Sequence, residues 1–143
     1  MPSLERAYGI RGAVIALGMA AVAGGVHGVL AWQFDFIAAK IFVGLCGALV
    51  LIMAGAISAR RSLLSAIGLG VLMGMAFFLA RWMGWALMEG GFTATLDFLS
   101  ATPAGWYAWL DAREISGAWI FEAISMTTTA LFGCYFGHER AEA

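Results

Sequence analysis

Gly70–Glu89, GVLMGMAFFLARWMGWALME, decides the fold class. The run is long, apolar and free of proline, and Arg81 sits well inside it. A charge at membrane depth costs about 2.5–3.5 kcal/mol on insertion scales, so it persists only where the protein accommodates it. Gly74 and Gly70, seven and eleven residues earlier, share its helical face, and Gly84 lies close to that face. Small residues at this spacing let another backbone approach closely. Arg81 is therefore expected to look into a helix bundle and not into lipid.

The rest of the chain agrees. Of 143 residues, 62% are hydrophobic and 12% charged, and the mean hydropathy is +0.88. A soluble domain is about 45–50% apolar and about 25% charged. The excess fits a bilayer. A net charge of −1 leaves no footprint for nucleic acid. Cys46 and Cys134 lie in apolar segments without CxxC or CxxH spacing. They read as small buried residues, not as a disulfide, metal or redox motif.

The expected architecture is all-α: a single integral membrane domain over 1–143 forming a four-helix transmembrane bundle. The spans are 12–32, 36–58, 62–88 and 117–136, the first preceded by a short polar start. Gln33-Phe34-Asp35 is a tight turn, Ala59-Arg60-Arg61 a basic loop, and Gly90-Gly91 the end of the third span. About 20 residues suffice to cross, and the third span exceeds that, which implies tilt or an overhang. Residues 92–115 read as short helices lying in the outer interface, with Thr102-Pro103 as an N-cap and first helical position.

Arg6, Arg11, Arg60, Arg61 and Arg140 fall on one side, which the positive-inside rule makes cytoplasmic together with both termini. Asp35, Glu89, Asp97, Asp111 and Glu114 fall on the other. All six tryptophans lie near that outer boundary, as an aromatic belt would.

Four ionisable side chains lie within the expected spans: His27, Lys40, Arg81 and Glu122. Counted from the outer helix ends they sit at one depth, about 6–11 Å at 1.5 Å per residue. Each shares a face with small residues, so all four are expected to point inward. As a site they would form an outward-facing polar pocket with two cations, one acid and one titratable imidazole. It would suit a small polar or anionic solute, or proton exchange through His27 and Glu122. As structure, an Arg81–Glu122 pair would hold two helices together, and Lys40 would snorkel to the interface. No metal ligand set, cofactor motif or nucleophile elbow is evident, so no cofactor is expected and an enzyme ranks last. Membrane lipids are the expected partners, with a homo-oligomer or a larger membrane complex beyond them.

Lys40-Ile41-Phe42-Val43-Gly44, Ala80-Arg81 before Glu89-Gly90, and Phe121-Glu122-Ala123 together resemble a family of small bacterial four-helix membrane proteins with a DoxX-like layout. The resemblance covers about residues 34–137. It implies a bacterial inner-membrane protein with basic residues and a last-helix glutamate in similar places, and it implies no activity. The loop from Ala94 to Glu114 is longer than that pattern. Three functional classes stand: a solute- or proton-binding bundle, an accessory or assembly subunit of a larger complex and, last, a membrane-embedded enzyme.

Overall fold

The computed structural model describes residues 2–58, 60–114 and 117–142, with side chains from Gly9 onward. The fold is all-α. Among the described residues five helices follow in order: α1 Pro2–Gln33, α2 Ile37–Ile57, α3 Leu63–Ser100, α4 Pro103–Asp111 and α5 Ala118–Glu142. Among the described residues, three segments are long and apolar enough to cross a membrane: Gly9–Gln33, Ile37–Ile57 and Leu63–Ser100. α5 is long enough but more polar, carrying Glu122 and Thr127-Thr128-Thr129.

The four long helices close a ring. α3 packs between α1 and α5, and α2 packs between α5 and α1, leaving α2 and α3 nearly diagonal. Glycine contacts give the directions. Gly24 and Gly28 of α1 face the backbone of Phe77 and Arg81, so α1 and α3 run parallel. Gly70 and Gly74 face Leu131 and Thr127, so α3 and α5 run antiparallel. Gly12 faces Ser58 while Gly44 and Gly47 face His27, so α1 and α2 run antiparallel. A Cβ on Gly28 would overlap the Arg81 carbonyl, and one on Gly133 would come within 2.6 Å of the Ile52 carbonyl. Small residues thus set the helix spacing, as they do where apolar burial cannot drive association. The core between the helices is Ala16, Ala20, Leu51, Ala54, Ala66, Leu69, Met73, Phe77, Ala130 and Cys134.

Several expectations need correction. The polar start is helical, since α1 begins at Pro2. Gly90-Gly91 ends the straight run of the third helix, as expected, although α3 as a whole extends past it. The chain bends at Gly91, with φ 71 and ψ −154, and then continues helically to Ser100. Residues 92–100 and α4 are the two short helical pieces expected of the loop. Thr102 caps α4, its hydroxyl accepting from the Gly105 N–H at 3.2 Å, with Pro103 following. The tryptophans form more than a belt. Trp82, Ala86, Phe98 and Leu110 make a second buried cluster, surrounded by Trp85, Trp106, Trp109 and Trp119. Trp109 lies between Trp82 and Phe98, at centroid distances of 5.6 and 4.9 Å. Trp106 donates its indole N–H to the Phe98 carbonyl at 2.5 Å. The bend at Gly91 folds this aromatic cap back over the end of the ring. Of the cysteines, Cys134 is buried beside Met73, while Cys46 is exposed on α2, contrary to expectation.

Candidate functional site: a buried arginine between two glutamates

Arg81 follows Phe77 by one turn of α3, just where α1 comes closest. Its carbonyl faces Gly28, and its side chain, only 4% exposed, turns toward α5 and the chain after α4. Two carboxylates meet it. Glu122 Oε1 of α5 lies 2.7 Å from Nε. Glu114 Oε1 accepts from Nη2 at 2.9 Å. The Glu122 contact is close in distance, but the N–H does not aim at the oxygen, so it is an ion pair without a well-formed hydrogen bond. The guanidinium carbon stands 3.6 Å from the Trp82 ring centroid and 5.3 Å from that of Trp85. Nη1 and the Trp82 indole nitrogen are buried without a hydrogen-bond partner among the described residues.

Local structure explains how Glu114 arrives. The chain leaves α4 through a tight turn in which the N–H groups of Arg113 and Glu114 both donate to the Leu110 carbonyl. Neighbouring side chains then reach α3 at two levels. Arg113 pairs with Glu89 at 2.7 Å and stacks over Trp109 at 3.7 Å, while Glu114 pairs with Arg81. Opposite charges in a fixed order pin the turn to the helix.

The four residues expected to form one site are not brought together. Arg81 and Glu122 meet. Lys40 does not join them. It is 45% exposed and pairs at 2.8 Å with Asp35 in the turn before α2. Lysine can satisfy its charge outward because its stem is long and an acid lies within reach. The Lys40 ammonium in turn holds the Asp35 carboxyl below its usual pKa of 3.8. His27 is buried but makes no hydrogen bond or ion pair among the described residues. Its ring meets Phe77 edge-on at 5.5 Å, and Nδ1 is unpartnered. From the sequence, Glu114 reads only as one of the acids beyond the helix ends. The readable signal was the complementary order of Arg113-Glu114 against Arg81 and Glu89.

The geometry also bears on ligand charge. One guanidinium serves two carboxylates, so with both ionised the cluster carries an excess negative charge and presents no free cation to an anion. A proton or a small cation would balance it. No family model matches the chain, and no curated protein or solved structure does.

Proposed function

We propose that this is a small bacterial inner-membrane protein of four transmembrane helices, with both termini cytoplasmic and a DoxX-like layout. We further propose that its outer polar cluster exchanges protons or binds a small cation. The observation that carries this reading is the convergence of Glu114 and Glu122 on a single guanidinium. Their partial exposure, 23% and 17%, contrasts with 4% for Arg81 and leaves the acids as the accessible members. An anionic solute loses its support, because the arginine that would have received it is already doubly paired.

The test is proton movement in vesicles holding the purified protein and a trapped pH indicator. An imposed pH gradient should decay faster than in empty vesicles, and Glu122→Gln should remove most of the difference. Equal decay with and without protein would end the proton reading. Equilibrium dialysis against sodium and potassium then decides the cation reading.

The second reading, an accessory or assembly subunit, draws on the same cluster. Two acids, two tryptophans and a reinforced turn suit a clasp that holds a rigid outer cap. Purification from native membranes with mass spectrometry of whatever accompanies the chain addresses that reading. A stoichiometric protein partner would favour it, and a lone chain or a homo-oligomer would count against it.

A further inference from the structure

Between α1 and α2 runs a groove of about 590 Å³, lined from Gly18 to Leu30 on one helix and from Phe42 to Val50 on the other. Twelve residues of helix make it about 18 Å long, lying along the helix axes. Val22, Val26 and Phe42 on its walls are exposed. One lining side chain carries nitrogen: His27, which is 8% exposed and sits in the outer part of the groove. Its Nδ1 is buried near Gly47 without a partner, and no described residue meets either ring nitrogen. A buried polar group left unmade costs about 1–3 kcal/mol. Acyl chains of the surrounding lipid would fill the apolar walls but offer the imidazole no hydrogen-bond acceptor.

The geometry points to a ligand site: the groove takes a neutral, lipid-soluble molecule with a carbonyl-bearing ring at one end and an apolar tail, the chemistry of a prenyl quinone. Three features select this occupant. The imidazole offers an N–H to a carbonyl oxygen and has no competing acceptor. The groove continues from His27 toward Gly18, giving an apolar tail room along the helices. The depth sets the head. His27 lies five residues inside Trp32, about 7.5 Å along the helix. With Trp32 at the boundary, that level is hydrocarbon. Phospholipid esters stay nearer the interface, whereas an uncharged ring can enter. The volume lies within the roughly 300–1,000 Å³ usual for small-molecule sites.

The test uses the full chain in lipid nanodiscs and a radiolabelled benzoquinone with a ten-carbon tail. Saturable binding above empty nanodiscs is expected. His27→Leu keeps the bulk and removes both nitrogens, and it should weaken binding at least tenfold while thermal melting holds or rises. Gly18→Trp is a second, independent variant. A Cβ there meets nothing within 4 Å, so the indole can occupy the tail end of the groove and should also weaken binding at least tenfold. Binding no greater than that of empty nanodiscs would overturn the proposal, as would wild-type affinity in either folded variant. The assay reads no proton movement, so its failure is separable from failure of the proton reading.

Discussion

Arg81 is the residue on which the α4 end of the bundle turns. Removing one partner of a buried ion pair typically costs about 3–5 kcal/mol. Here the loss is asymmetric. Arg81→Ala strands two carboxylates against each other, whereas Glu122→Gln leaves Arg81 with Glu114. Arg81→Ala should therefore lower stability in detergent by roughly 3–5 kcal/mol, and Glu122→Gln by clearly less. In the double variant the costs should not add, because the two groups touch. Thermal melting of all four proteins checks this, and strict additivity would contradict the contact. The Asp35–Lys40 pair behaves differently because it is exposed. A carboxyl with a lowered folded pKa stabilises above its unfolded pKa and loses that contribution as pH falls through the folded value. Carbon NMR should find Asp35 titrating below 3.8 and returning to the ordinary range in Lys40→Ala. The Arg81–Glu122 pair was readable from the sequence because both residues sit on small-residue faces at one depth. Lys40 misled because face and depth said nothing of the acid in the preceding turn. Glu114 was hidden because it is placed by a turn, and turns carry no periodicity.

Gly91 shows most clearly how one residue shapes an element. With φ 71 and ψ −154 it occupies a region essentially restricted to glycine, where other residues pay about 1–3 kcal/mol. A sequence reading takes Gly90-Gly91 for a helix end, since the pair breaks helical propensity either way. It also expects short helices beyond the pair; what it misses is that Phe98, Trp106 and Trp109 fold those helices back into a buried aromatic cap. Gly91→Ala should cost about 1–3 kcal/mol, and it should loosen the aromatic cap before the ring of long helices. Acrylamide quenching of tryptophan should rise in this variant at temperatures where helicity by circular dichroism is unchanged. Coincident loss of both signals would count against a separable cap. Gly28 tests the opposite contact. Its position against the Arg81 carbonyl leaves no room for a side chain, so Gly28→Leu should drive α1 off α3 and abolish the folded form. Leucine at Gly68, where a Cβ meets nothing within 4 Å, should be tolerated.

At the scale of the whole molecule the open question is whether α5 crosses the membrane with the other three. Composition alone leaves it short, because Glu122 and the threonine run lower its apolarity. Packing argues otherwise. At one end Glu122 meets Arg81. At the other, His138 Nδ1 lies 2.9 Å from the carbonyl oxygen of Arg60, whose side chain donates to the Gly9 carbonyl at 2.8 Å. Glu122 and His138 are sixteen residues apart, about 24 Å along a helix. α5 thus covers most of the same height as α2 and α3, between which it is wedged. Its polar groups carry their own partners: Glu122 is paired, and the Thr128 and Thr129 hydroxyls, the first of them exposed, donate to carbonyls one turn earlier on their own helix. If α2 and α3 cross, α5 must cross beside them. The loop at Arg60 and the C-terminal end of α5 should then lie on one side, and Asp97 and Thr102 on the other. Single cysteines at Arg61, Asp97, Thr102 and Glu142, placed in a Cys46→Ser, Cys134→Ala background, can be labelled in intact cells with a reagent that does not cross membranes. Asp97 and Thr102 should react from outside, and Arg61 and Glu142 only after permeabilisation. Labelling of Glu142 from outside, with Arg61 protected, would mean three crossings and would separate α5 from the height it shares with α3.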